Sequence, residues 1–387
     1  QHPANDMTSD IITTHFDYHK IDHNLLKLDI LGHDDPTMIR MLQDTTGLDP
    51  VTIPLDDKEV MSLFQGTDAL KIKPEDIDGI PTGSLGIPEF GTKFVIQMLV
   101  DTKPQCFTDL VRISGLSHGT DVWLGNAQTV IAEGKATIST AICTRDDIMV
   151  YLINKGIEEG LAFTIMERIR KGAVAKGKVP EWEEWKDLMR QHGVPDWYIW
   201  SAEKIKYMFP KAHAAAYVMM AWRIAYYKVN FPLQYYAAYF SIRAKGFDYK
   251  RMCMGKAEIL RSLNELKEKK ANKEISAAEE ETLDDLYLVL EMYARGYEFE
   301  PIDIYRADAT KFKVMDGKIM PAFNSISGMG DKAAESLMKA ASAAPFTSKD
   351  DLKNRGKISK TIIDDMDEMG LLGDIPESDQ ISLFDLR

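Results

Sequence analysis

Lys204-Ile205-Lys206-Tyr207-Met208-Phe209-Pro210-Lys211-Ala212-His213-Ala214-Ala215-Ala216-Tyr217 packs three lysines, two tyrosines, a phenylalanine and a histidine into fourteen residues. Pro210 ends one local element, because its ring fixes φ and removes an N–H. From Ala212 to Tyr227 helix breakers are almost absent and alanine is frequent, so the sequence predicts a helix there. Lys211 and His213 then stand at or near its N-terminus. Cations at that end oppose the helix dipole, which is tolerable when an anion binds at the same place. Aromatic faces beside clustered lysines suit a base stacked above its own phosphates. A buried helix with a basic edge is the competing reading of the same residues.

Working outward, Phe231-Pro232 closes this helix, and a second aromatic helix is expected over about 234–243. Upstream, Trp182, Trp185, Trp197 and Trp200 read as packing anchors. Gly172 to Lys178 reads as a basic loop able to close over phosphates. The preceding helix, about 161–171, ends in Arg168, Arg170 and Lys171, where the dipole favours cations. Arg145-Asp146-Asp147 leads into the apolar Ile148-Met149-Val150-Tyr151. Before it, a helix is expected to give way to a loop over Gly115-Leu116-Ser117-His118-Gly119-Thr120-Asp121-Val122-Trp123. Glycines there let the backbone approach closely, so Ser117, His118 and Thr120 can reach a phosphate. A Ser-His-Asp triad does not follow from these neighbours, because triad geometry is spatial rather than sequential. Residues 45–92 alternate loops and short helices, and 90–101 reads as an amphipathic helix.

Near the start, His15, His19 and His23 recur every four residues, a spacing that lines up metal ligands on a helix. Their Thr, Phe, Tyr and Ile neighbours favour extended structure instead. Leu26, Leu28 and Ile30 alternate as one face of a strand, with Lys27, Asp29 and Leu31 on the other. An acid in mid-strand is either exposed or a carboxylate held for Mg2+. Asp34-Asp35-Pro36 reads as a helix start whose acids are caps. Toward the other end, residues 249–296 read as a charged, solvated helix hairpin. Residues 301–323 suggest a short β segment turning at Asp316-Gly317. Ile326-Ser327-Gly328-Met329-Gly330-Asp331-Lys332-Ala333-Ala334 then matches the hairpin of a helix-hairpin-helix. The glycines Gly328 and Gly330 expose backbone N–H groups, with Lys332 beside them, to a DNA phosphate without reading sequence. The acidic tail carries Gln380-Ile381-Ser382-Leu383-Phe384, an apolar pair without a core to join, and reads as a docking peptide.

The 387 residues suffice for two to four domains. The net charge of −13 argues against general nucleic-acid binding, yet residues 151–250 carry a local +6, leaving −19 on the remainder. Such a patch attracts phosphates irrespective of the total. Three scattered cysteines make no CxxC, which argues against a disulfide framework and fits a reducing cytoplasm. No apolar run approaches the ~20 residues of a membrane span. Gln1-His2-Pro3 carries neither a start methionine nor a signal pattern and reads as a cut from a longer chain.

The stretches Leu25 to Pro36, Leu116 to Trp123, Arg145 to Tyr151 and Tyr207 to Tyr217 together resemble the PolC-type replicative DNA polymerases, the C-family DNA polymerase III alpha subunits of low-GC Gram-positive bacteria. The resemblance covers nearly the whole chain, as a C-terminal part. It implies a mostly α fold with a small α+β part. Residues 1–45 would end a nucleotidyltransferase-type palm, 46–250 form helical fingers, and 251–300 a helical connector. Residues 301–373 would be a helix-hairpin-helix region on duplex DNA, and 374–387 a clamp-binding tail. It further implies that Asp29 is the third catalytic carboxylate, a Mg2+ ligand. Ser117, His118, Arg145, Arg168 and Lys171 would meet the triphosphate of a dNTP, and Tyr207, Lys211 and His213 would line the nascent pair. Gln380, Ile381, Leu383 and Phe384 resemble the sliding-clamp pentapeptide, with Ile381 in place of the usual Leu. The implied partners are primer–template DNA, dNTP, the sliding clamp and other replisome proteins, in the cytoplasm and without a membrane. The family's paired Asp-x-Asp is absent, so these residues alone are expected not to polymerise. Two other classes fit parts of the sequence: a non-catalytic DNA-binding scaffold, and a metallohydrolase built on His15, His19 and His23.

Overall fold

The computed structural model describes residues 6–378, except Thr14, His15, Asp22, Lys27, Asp29 and Leu31, and for His19 the backbone alone. The chain divides between Asp34 and Asp35 into two units. In the first, the described residues hold one four-residue helix, α1 (Tyr18–Ile21). The strand expected around Leu26, Leu28 and Ile30 does not form among the described residues, and these side chains are 87, 74 and 93% exposed. A strand needs a neighbour for its backbone groups, and the only described strands pair with each other near residue 316. Asp29 lies outside the described residues.

The second unit opens with α2 (Asp35–Thr46), with Pro36 in its first turn as expected. Asp35 is not a solvent-facing cap, since it is buried against the guanidinium of Arg243. The helices α3 (Lys58–Leu63), α4 (Lys93–Thr102), α5 (Phe107–His118) and α6 (Gln128–Ala132) follow. The loop expected from Gly115 therefore begins only at Gly119. Gly115 is a helix residue whose missing Cβ would lie 2.8 Å from Cys143 O, so it serves close packing rather than a turn. Next come α7 (Arg145–Asn154), α8 (Glu159–Arg170), α9 (Trp182–Gln191) and α10 (Asp196–Lys204). The stretch from Gly172 to Lys178 is not an open loop. It is a series of hydrogen-bonded turns (Ala173 N to Arg168 O 2.9 Å, Lys178 N to Ala173 O 2.9 Å) over a buried Val174.

The alanine-rich run forms α11 (Lys211–Asn230), and Pro232 starts α12 (Pro232–Ile242). α11 packs on α2, α3, α5 and α12 and supplies the centre of the core. Trp222 stacks on Phe64 at 6.2 Å, meets Phe107 edge-on at 5.9 Å, and donates its indole N–H to Pro54 O at 2.8 Å. After α13 (Tyr249–Met252) the expected hairpin appears as α14 (Lys256–Ala271) and α15 (Ala277–Ala294). Only α14 has the predicted solvated character. α15 is buried at Leu283 and from Asp285 to Met292, a run that includes the acids Asp285 and Glu291.

The strands β1 (Lys313–Met315) and β2 (Lys318–Met320) make the predicted antiparallel hairpin. The helices α16 (Asp331–Ala343), α17 (Lys349–Gly356) and α18 (Lys360–Glu368) enclose a separate core of Phe323, Ile326, Leu337, Leu352 and Met366. No helix among the described residues is long and apolar enough to cross a membrane.

The buried acids of α15 are partnered. Glu291 meets Lys228 Nζ at 2.7 Å, and both side chains are 0% exposed. The ammonium also donates to Gly83 O at 2.8 Å and Leu85 O at 2.6 Å, while Tyr236 donates to Glu291 at 2.6 Å. Burial pushes Lys228 down to about 8 against the pull of Glu291. Removing one partner leaves an uncompensated buried charge. Glu291→Ala is expected to destabilise the protein by about 3–5 kcal/mol, with Lys228→Met/Glu291→Leu recovering most of the loss. Thermal unfolding midpoints check this, and a single variant that melts with the parent refutes it.

Asp285 accepts from Gly246 N at 2.8 Å, yet burial pushes its carboxyl up from 3.8 to about 7. Between those values the folded state holds a proton that the unfolded state has lost. The contribution is complete below the unfolded value and disappears as pH rises through about 7. Stability is expected to fall by about 2 kcal/mol between pH 5 and 7, and Asp285→Asn to flatten that slope. Melting curves across that range decide it.

Candidate functional site

α11 begins where the sequence places two cations, and the anion it needs comes from the chain itself. Lys211 N–H donates to Asp146 Oδ2 at 2.8 Å, and Lys211 Nζ lies 3.7 Å from Asp147 Oδ1. Asp147 is fixed by the N–H groups of Thr144 at 2.8 Å and Cys143 at 3.2 Å. Asp146 and Asp147 therefore start α7 and hold the start of α11 with the same turn.

The segment from Lys206 to Lys211 is strapped to three elements by backbone hydrogen bonds. Thr120 N donates to Tyr207 O at 2.9 Å and Lys206 N to Thr120 O at 3.1 Å, beyond the end of α5. Met208 N donates to Arg170 O at 3.3 Å at the end of α8, and Arg145 N to Phe209 O at 3.2 Å at the start of α7. Gly172 permits the α8 contact. It has φ +69°, and a Cβ there would lie 2.5 Å from Lys206 O.

Side chains then line up across the segment. His118 stacks on Phe209 with ring centres 4.8 Å apart, Phe209 meets His213 edge-on at 5.0 Å, and His213 lies 4.7 Å from Tyr217. His118 Nε2 lies 3.2 Å from Glu89 Oε2, and Nδ1 lies 2.8 Å from Ser114 O. Ser117 donates to Ser114 O at 3.0 Å. Tyr207 is 42% exposed. Arg168 is exposed, and its side chain has no partner among the described residues. Lys171 pairs with Glu167 at 3.1 Å. Hydrogen bonds from Arg170 hold the Glu167 carboxyl down to about 2. Beside Lys211 a cavity of about 300 Å³ opens between Arg112, Asp147, Tyr151 and Tyr198.

His118, Arg145 and His213 thus meet the segment that carries Tyr207 and Lys211, with Ser117 beside His118 and with Arg168 and Lys171 on the helix end that flanks it. The arrangement offers aromatic faces beside fixed and free cations, which suits a base with its phosphates. Sequence reasoning missed Glu89, and it read Phe209 without its stacking role. It also missed that Asp146 caps a distant helix. An acid just inside an Arg-Asp-Asp helix start signals a local cap, and nothing local signals the remote one.

The second region is the glycine hairpin. Ile326 and Met329 are buried and anchor it, while Ser327, Gly328, Gly330 and Lys332 lie around it, with Gly328, Gly330 and Lys332 exposed. Gly328 has φ +78°, and Gly330 caps α16. The first helix of the motif is only a single 3-10 turn, Phe323–Ser325, shorter than expected. Gln380, Ile381, Leu383 and Phe384 lie outside the described residues. No group of three His, Cys, Asp or Glu among the described residues is placed to hold a metal. His15 and the side chain of His19 lie outside them.

Residues 35–193 match the family model of the bacterial DNA polymerase III alpha subunit finger domain, and residues 296–380 match that of the helix-hairpin-helix motif. The whole chain is 54% identical over 385 residues to the DNA polymerase III PolC-type of Streptococcus pneumoniae serotype 2 (strain D39 / NCTC 7466), of which it covers 26%. It is 53% identical, with the same coverage, to that of Streptococcus pyogenes serotype M1. The chain thus spans about a quarter of the length of the curated relatives it matches. The finger-domain match stops before residue 204, so the strapped segment is covered by the relatives alone.

Proposed function

This chain belongs to the PolC-type DNA polymerase III family as a segment of its length, and from that premise we propose that it forms the fingers and duplex-binding parts of a replicative polymerase that adds dNMP to a primer 3′-OH. The observation that carries this reading is the meeting of His118, Arg145 and His213 on the strapped segment of Tyr207 and Lys211, with Ser117 beside His118. In this reading residues 1–45 end the palm, 46–250 are fingers, 251–300 a connector and 301–373 the duplex grip.

The triphosphate lies along Ser117, His118, Arg145, Arg168 and Lys171. Tyr207, Lys211 and His213 line the nascent pair, with the base stacking toward Tyr207 and His213. Fixed cations stabilise the charge that moves onto the leaving pyrophosphate, and the straps remove the need to reorganise at that moment. Gly328, Gly330 and Lys332 hold a backbone phosphate of the duplex without reading sequence. The protein works in the cytoplasm at the nucleoid with other replisome proteins, and its tail docks on the sliding clamp.

Mg2+ is the metal such chemistry uses, as a Lewis acid and a template for both reacting oxygens. The described residues do not fit a complete site for it, since they hold no cluster of three ligands. Asp29 supplies one carboxylate in this proposal, and further ligands come from outside this chain.

Single-nucleotide incorporation by the whole parent protein tests the reading. Arg145→Ala and Lys211→Ala are expected to raise the dNTP KM by about tenfold or more, from loss of a charged contact of roughly 1.5–3 kcal/mol, with duplex affinity retained. Asp29→Asn is expected to abolish extension while primer–template binding persists. Unchanged incorporation in all three would leave a non-catalytic DNA-binding scaffold as the better reading. Separately, Leu383→Ala/Phe384→Ala is expected to abolish clamp binding with DNA affinity intact, as measured by surface plasmon resonance on immobilised clamp. Equal clamp affinity would remove the tail from the function.

A further inference from the structure

Glu89 is the least expected residue at the strapped segment. It is not a glycine, yet its φ is +69°, a left-handed conformation that L residues adopt at a cost. The loop around it leaves no alternative. Phe90 is fully buried and lies edge-on to Phe64 at 5.1 Å, and Ser84 Oγ donates to Phe90 O at 2.9 Å. A Cβ on Gly91 would sit 3.1 Å from Gly86 N and Ile87 O, so the loop closes tightly on itself. Lys228 holds the carbonyls of Gly83 and Leu85 at its base.

This pinned loop delivers the carboxylate to His118. Nε2 of the ring is 3.2 Å from Glu89 Oε2, and Nδ1 is 2.8 Å from Ser114 O. Glu89 thus meets one ring nitrogen and Ser114 O the other, so the imidazole is held at both ends. The groups facing the ring are Glu89 from the loop, Ser114 and Ser117 from its own helix, and Phe209, with His213 behind Phe209. Ser114 Oγ also reaches Glu89 Oε2, at 3.5 Å. The stack on Phe209 fixes the plane of the ring as well.

We propose that Glu89 is a positioning residue of the nucleotide site: it holds the His118 ring flat on Phe209, so that a fixed imidazole N–H faces the triphosphate of the incoming nucleotide. This rests on the reading of His118 as a triphosphate contact. Glu89 itself touches no substrate. Its left-handed backbone is the conformational strain that a preorganised site stores.

The experiment is single-nucleotide incorporation by the whole parent polymerase with Glu89→Gln, Glu89→Gly, His118→Gln and the double variant Glu89→Gln/His118→Gln. Glu89→Gln is expected to raise the dNTP KM about tenfold with kcat little changed, the signature of lost ground-state binding. The double variant is expected to be no worse than His118→Gln alone, since Glu89 acts only through that ring. Glu89→Gly relieves the backbone while deleting the acid, so KM is expected to rise with a melting temperature equal to or above that of the parent. A KM that stays at the parental value in Glu89→Gln and Glu89→Gly while His118→Gln raises it overturns the proposal and leaves the nucleotide site standing. An unchanged KM in His118→Gln removes His118 from the site altogether.

Discussion

A single buried ion pair ties the large unit together. Lys228 on α11 and Glu291 on α15 lie 2.7 Å apart with no solvent exposure. Two charges in that position are tolerated because polar groups converge on both. Gly83 O and Leu85 O accept from the ammonium, and Tyr236 donates to the carboxylate. Only Glu291 Oε2 lacks a hydrogen-bond partner within this cluster. Arg295 in turn donates to the Tyr236 hydroxyl and to Lys228 O. The pair is thus less a source of stability than a specification. It fixes which turn of α15 meets which turn of α11, and it draws the loop at residues 83–91 against α11. The loop carries Glu89, so the electrostatics of the core reach the strapped segment through the backbone.

The segment itself owes its geometry to backbone rather than side-chain bonds. Thr120, Arg145 and Arg170 contribute main-chain groups to residues 206–209. The straps therefore make no demand on the side chains of Thr120 and Arg145. This division suits a site that must present charges without consuming them in its own architecture. Some cations are nonetheless paired: Glu167 with Arg170 and Lys171 at the end of α8, Asp147 with Lys211, and Asp121 with Lys206. Arg168 remains outside that pairing.

Much of this can be read from the residues. The alanine-rich helix, the stop at Phe231-Pro232, the turn at Asp316-Gly317 and the glycine hairpin all follow from local propensity and backbone chemistry, which act within a few residues. The failures have a common cause. Gly115 reads as loop because isolated glycines weaken helices, but here the space is taken by Cys143 and Thr144 from a distant segment. α15 reads as solvated because its composition is acidic, while its partners Lys228, Gly246 and Tyr236 lie elsewhere in the chain. The apolar alternation near Leu26 and Leu28 predicts a strand, which needs a pairing edge that the described residues do not provide. Glu89 has no signal at all, since an acid in a left-handed turn is set by what surrounds it. The proposed site residues are chosen by type and by motif. Their convergence is not legible, because it depends on long-range hydrogen bonds.

The contact at Gly172 bears on how the sequence is free to drift. The end of α8 and residues 206–208 meet across an atom that only glycine lacks, with Lys206 O 2.5 Å from the place of a Cβ. Any other residue there would push the two backbone segments apart. Position 172 is therefore closed to exchange by the spacing of two main chains rather than by the volume of a side chain. In the basic turns that follow it, the exposed Lys176 and Lys178 are open to exchange, while Gly177 keeps a left-handed φ of +64°. Variation in this part of the chain is channelled by geometry into charge and length, while the spacing between the helix end and the aromatic row stays fixed.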